Sequence, residues 1–74
     1  MAIKAMNSSA EQAVKAEILQ LKTALKIYNQ DTGLYPVNDS GEILEGYIDV
    51  KFIGVTDGVY VNYYGEPYKL ESLK

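Results

Sequence analysis

The chain has 74 residues, with no cysteine, no histidine and no arginine, and a net charge of −3. That describes one small domain with a marginal core, since a chain this short buries only about 60% of its unfolded surface. Disulfides are excluded, a zinc site lacks its usual ligands, and nucleic-acid binding lacks the basic excess it needs. A small domain without such staples calls for partner subunits.

The charge is uneven along the chain. Residues 1–30 carry four Lys against two Glu, a net +2, while residues 31–74 carry three Lys against eight acids, a net −5. A basic half joined to an acidic half suits contact between copies. No run of about 18 apolar residues is present, so nothing in the sequence reads as a membrane span. Nor is there a signal peptide, and the opening Met-Ala reads as the start of an expressed fragment.

Residues 1–32 read as one long helix. Positions 2–30 hold no Gly and no Pro and are rich in Ala, Lys, Leu, Glu and Gln. Val14, Ile18, Leu21, Leu25 and Tyr28 recur at spacings of four and three, and Ile3 and Ala10 continue the stripe. A shorter helix starting near Ala10 is the alternative, because Ser9 and Gln12 have capping-box spacing after Asn7-Ser8. The long helix is favoured, and its N-terminal part is expected to project from a body built by so few further residues. Lys4, Lys15, Lys22 and Lys26 fall together on the helical wheel. They read either as a solvated face with snorkelling stems or as a contact stripe for acidic neighbours. Lys22 and Lys26 also read as complements to the helix dipole.

Gly33 is the expected helix stop, and Pro36 forbids resumption. Residues 33–46 read as a loop between helix and sheet, with one helical turn capped by Ser40 and anchored by Ile43 and Leu44. From Tyr47 the apolar period becomes two. Ile48, Val50 and Phe52 alternate with Tyr47, Asp49 and Lys51, and Val59, Val61 and Tyr63 with Tyr60, Asn62 and Tyr64. Asp57-Gly58 signals a hairpin turn, Gly65-Glu66-Pro67 a second turn, and Tyr68–Leu73 a third strand. The expected fold is therefore α+β: one long N-terminal helix packed on a three-stranded antiparallel meander over residues 47–74. No internal repeat is expected.

Chemistry is sparse. The commonest general base and the best thiol nucleophile are missing, and no Gly-rich phosphate loop is present. The acids gather at turns, where turn geometry accounts for them. An enzyme is not expected, and no cofactor. Calcium is the one metal to weigh, because Asp31, Asp39 and Glu42 flank one loop, though without EF-hand spacing. The seven Tyr suit half-buried strands and also a sticky surface for self-assembly.

Residues 14–36, V-K-A-E-I-L-Q-L-K-T-A-L-K-I-Y-N-Q-D-T-G-L-Y-P, resemble the lower helix and stop of the type IV pilin and type II secretion pseudopilin superfamily. Tyr28, Asp31, Gly33, Tyr35 and Pro36 match the motif that ends that helix. Y-Y-G-E-P-Y-K-L, residues 63–70, is similar to the family's aromatic-Gly-x-Pro-Tyr segment, with Gly65 and Pro67 in place. The family's apolar first helix half, its frequent Cys pair and the calcium loop of its major pseudopilins have no counterpart here.

The resemblance implies a short subunit of an extracellular type IV pilus-like filament, N-terminally truncated. The alternatives are a periplasmic pseudopilin of a type II secretion system or a small Tyr-rich protein-binding module. It also implies self-association with other pilin subunits through the helix, an inner-membrane precursor and an inner-membrane assembly machinery. Lys4, Lys15, Lys22, Lys26, Ala13 and Ile27 are then the candidate subunit contacts. Tyr28, Gly33, Tyr35, Pro36, Gly65 and Pro67 are structural motif residues. Without the apolar half, the chain by itself is expected to be monomeric or weakly associating, which analytical ultracentrifugation checks.

Overall fold

The computed structural model describes the backbone of residues 2–74 and the side chains of residues 11–74. Helix α1 spans Ala2–Thr32. The side chains of residues 1–10, among them Ile3, Lys4 and Ala10, lie outside the described residues; the helical backbone runs on through Asn7-Ser8-Ser9, so the long helix forms and not the shorter one starting near Ala10. From Glu11 onwards the helix lays one stripe on the rest of the molecule. Leu21 and Leu25 are buried, and Ile18 packs beside them against Ile43, Tyr60, Tyr68 and Leu73.

The stop at Gly33 is a capped one. Gly33 N–H donates to Asn29 O at 2.8 Å with φ +76°, the left-handed geometry that glycine adopts without strain. Thr32 Oγ1 donates to Tyr28 O at 2.8 Å and accepts from Leu34 N–H at 3.1 Å. Because α1 runs to Thr32, its last turn holds no basic residue. Lys22 and Lys26 lie too far back to complement the helix dipole.

The three-stranded meander does not form. The sheet has two strands, β1 (Gly54–Thr56) and β2 (Val59–Val61), paired antiparallel with Thr56 opposite Val59. Asp57 and Gly58, at φ 53° and 81°, turn the chain between them. The expected first strand fails at Phe52. Its φ is +64°, so the in-and-out alternation breaks there. Ile48 and Val50 face the core as expected, but Ile53 takes the next inward place and Phe52 turns out to 98% exposure. The expected third strand ends early for a different reason. Leu70 and Leu73 are three residues apart, and both reach the core only on a helical turn, which is α2 (Leu70–Leu73).

What replaces the meander is a junction of short bridges. Tyr60 N–H donates to Ile43 O at 3.0 Å, Ile43 N–H to Tyr68 O at 3.3 Å, and Tyr68 N–H to Tyr60 O at 3.0 Å. The three bonds close a ring among three buried residues. Backbone groups that could not be left unpaired in the core are thereby satisfied without a continuous sheet. The loop over residues 33–46 accordingly has no helical turn; Ile43 is fully buried as an isolated bridge residue between Val37 and the Tyr68 segment.

The head contains an internal repeat. V-N-D-S-G-E (37–42) and V-N-Y-Y-G-E (61–66) fold the same way. In each, the Asn Oδ1 accepts from two backbone N–H groups, those of Ser40 and Glu42 at 3.0 Å and those of Tyr64 and Glu66 at 2.9 Å. In each the Asn N–H donates to the Glu carbonyl, the Gly N–H donates to the Asn carbonyl, and the Asn amide donates to Glu Oε1. Gly41 and Gly65 sit at φ 78° and 81°, and the flanking residues bridge alike, Val37 with Ile43 and Val61 with Pro67. This is a type I turn closed by a left-handed glycine. Asn62→Ala removes the acceptor of two loop N–H groups and should cost about 1 kcal/mol, whereas Asn62→Asp, which keeps the acceptor, should cost less. Urea midpoints of the two variants check this.

Candidate functional site

Around α1, at roughly 100° per residue, three stripes follow one another. Leu21 and Leu25 define the core stripe. Lys15, Lys22 and Lys26 form an exposed basic stripe beside it. On the far side Ala16, Leu19, Thr23 and Ile27 make a second apolar stripe, with Leu19 67% and Ile27 55% exposed. A helix with one apolar face serves its own core. This helix has two, and the second has no partner among the described residues.

The stripe continues into the head. Ala16, Leu19, Gln20, Thr23, Ala24, Ile27 and Asp49 line a shallow hollow of about 370 Å³. Next to it Ala24, Ile27, Tyr28, Asp31, Tyr47, Ile48 and Asp49 line a second of about 270 Å³. Tyr28 and Tyr47 meet edge to face there, ring centroids 6.3 Å apart. Asp31 and Asp49, both exposed, give this border negative charge. The outer apolar stripe therefore runs between a basic edge and a mixed one, where Asp31 and Asp49 stand with the exposed Lys51.

Two side chains fix the head against the helix. The Gln20 amide binds both backbone groups of Lys51: its Nε2 donates to Lys51 O at 2.9 Å and its Oε1 accepts from Lys51 N–H. It acts as a one-residue strand partner for residues 49–53, which have none in the sheet. Tyr68 Oη donates to Glu17 Oε1 at 2.6 Å across the core boundary. Burial, then the hydrogen bond and the negative charge of Glu17, push the Tyr68 phenol far above its ordinary 10.0. The folded chain thus holds this proton more tightly than the unfolded chain. The resulting stability is full below pH about 10 and falls as pH rises above that value. Tyr68→Phe should cost about 1–2 kcal/mol at neutral pH, and the gap to the parent chain should shrink above pH about 10. Denaturation midpoints across an alkaline pH series give the comparison.

Of the candidate contact residues, Lys15, Lys22, Lys26 and Ile27 are exposed and Ala13 is half-buried; Lys4 lies outside the described residues. Among the motif residues, Tyr28 and Gly33 sit at the helix end, and Pro36 is buried with its carbonyl accepting from Leu44 N–H at 2.8 Å. Tyr35 is 38% exposed, with Lys74 Nζ 5.4 Å from its ring centre. Gly65 belongs to the second V-N-x-x-G-E unit, and Pro67 follows it, bridged to Val61. Glu42 is occupied by Asn38, and no three carboxylates converge among the described residues. Leu19 and Gln20 are the site residues that do not emerge from the sequence pattern. Only Leu19 has a local signal, its place on the wheel opposite Leu21 and Leu25.

No helix among the described residues is long and apolar enough to cross a membrane. Comparison with protein-family profiles, with curated proteins and with solved structures finds no match for this chain.

Proposed function

We propose that this chain is the head and lower helix of a structural filament subunit of the type IV pilin and pseudopilin kind. One observation carries the reading: α1 spends one apolar stripe on its own core and keeps a second, Ala16-Leu19-Thr23-Ile27, open to solvent. Helices with two apolar faces suit packing between subunits, and repeated head-to-tail contacts build open helical polymers. The sequence likeness over Tyr28–Pro36 and Tyr63–Leu70 points the same way. No catalytic group enters this reading, and the chain works by shape and contact.

Such a subunit needs an apolar helical segment ahead of Ala2 to supply most of the association energy. The coding sequence upstream tests this. An apolar run with a Glu near its start, behind a peptidase site, is the expected result; a polar or globular extension rules the reading out. A second reading, a small protein-binding module, is favoured by the concave Tyr28–Tyr47 cleft alone. Its mark is a soluble protein partner retained by the parent chain and lost on Tyr47→Ala.

A further inference from the structure

We propose that the Tyr28–Tyr47 cleft binds an arginine side chain of a partner protein, its guanidinium against the two rings and between Asp31 and Asp49. This rests on the second reading of the cleft, as a protein-binding site, and names the group that it takes.

Two elements make the cleft. Ala24, Ile27, Tyr28 and Asp31 are spaced by three, one and three along α1, so they share one face near its C-terminal end. Tyr47, Ile48 and Asp49 come from the segment that enters the head. Ile48 packs against the core, and alternation turns Tyr47 and Asp49 outward on either side of it. Two residues beyond Asp49, Gln20 holds both backbone groups of Lys51 and so ties this segment to the helix. The walls are set before a ligand arrives, and such pre-organisation strengthens binding by sparing the ordering step.

The lining selects a cation. Tyr28 and Tyr47 stand at 85° to each other, ring centroids 6.3 Å apart, and make two walls of a corner. Rings attract a cation through their quadrupole, and carboxylates through charge. Among the described residues the lining has two carboxylates, Asp31 and Asp49, and no lysine. Lys51, the cation nearest to Asp49 along the chain, is exposed and lies outside the lining. Ile27 and Ile48 add an apolar floor on which a methylene stem can lie. Size limits the occupant. The hollow of about 270 Å³ falls below the roughly 300–1,000 Å³ of small-molecule sites, so it suits one side chain rather than a whole cofactor. Arginine fits this lining better than lysine. A guanidinium is flat, stacks on a ring, is more weakly hydrated than an ammonium, and donates to carboxylates from its edge while its face stays on the ring. The chain has no arginine, so the occupant comes from outside these 74 residues.

Blocked tripeptides, acetyl-Gly-X-Gly-amide, test the assignment. X is arginine, lysine or citrulline, the last having the shape of arginine without its charge. Each is titrated into the isotope-labelled 74-residue chain and followed by amide NMR shifts. The arginine peptide should give saturable shifts centred on Tyr28, Asp31, Tyr47 and Asp49 at millimolar concentration. The lysine peptide should bind about threefold more weakly, and the citrulline peptide should leave the cleft unmoved. Tyr47→Ala should weaken the arginine peptide by about three- to fivefold, whereas Tyr47→Phe, which keeps the ring, should stay within about twofold of the parent chain. Asp49→Asn should weaken it by a similar three- to fivefold. Both positions are exposed, so these variants leave the core intact. Equal shifts with citrulline, or binding indifferent to both Tyr47→Ala and Asp49→Asn, would overturn the proposal. Lysine binding as tightly as arginine would overturn the choice of arginine. If the arginine peptide binds as expected but the chain retains no soluble protein partner, the site stands and the protein-binding reading falls. If a partner is retained through Tyr47 but the arginine peptide leaves the cleft unmoved, that reading stands and the guanidinium site falls.

Discussion

Leu21→Ala should leave much of the chain unfolded under native conditions. Leu21 has no exposed surface and sits where helix, bridge residue Ile43, Tyr60, Tyr68 and α2 converge. Truncating such a leucine costs about 2–5 kcal/mol, from lost transfer energy and from the cavity left behind. A domain of this size has roughly 4–11 kcal/mol in all. The head cannot repack around the gap, because its bridges are single residue pairs closed into a ring. Leu19→Ala is the matched control. It removes the same atoms from the same helix two residues away, at an exposed position, and should shift stability by less than about 0.5 kcal/mol. Far-UV circular dichroism through a urea titration separates the two.

Reversing Lys15 and Lys22 together to Glu should abolish assembly while the isolated domain stays folded. Both side chains are exposed and lie before the last turn of α1, so neither core nor helix dipole is disturbed. In assembly the change is large. Each copy swings by four charge units on the edge that, in the proposed filament, faces the acidic half of its neighbour, and like charges across an interface oppose docking strongly. The compensating exchange, Asp31→Lys with Asp49→Lys, should restore assembly in the reversed background. Filament yield by electron microscopy and folding by circular dichroism are read on the same variants. Normal filaments from the Lys reversal would return these lysines to a merely solvated role.

The helix is legible in the sequence because its signals are local. Freedom from Gly and Pro, a four-and-three apolar spacing and Gly33 at the end each act within one turn. The sheet is less legible for a specific reason. Alternation from Tyr47 assumes an unbroken extended backbone, and one left-handed residue, Phe52, inverts it. A third strand over Tyr68–Leu73 overlooks that Leu70 and Leu73, three apart, already suit a helical turn. The V-N-x-x-G-E units are easily overlooked because their identity is only four residues long, and its meaning lies in side chain-to-backbone bonds. Gln20 with Lys51 and Glu17 with Tyr68 join residues 31 and 51 positions apart, and no local pattern announces such pairs.

The candidate interface divides along the same line. Ile27 and the three described lysines follow from the wheel. Leu19 is visible on the same wheel, but it lies off the stripe that makes the core. The Gln20 clamp, which ties the Lys51 backbone to the helix, has no local signal.

The filament reading places the chain in a polymer with its head outward. Antibodies raised against the folded 74-residue chain and carrying gold label test this on the surface of cells that express this protein. Gold along the length of thin filaments, lost when Lys15 and Lys22 are reversed, is the expected result. Label confined to soluble material, or filaments that remain bare, would refute the placement.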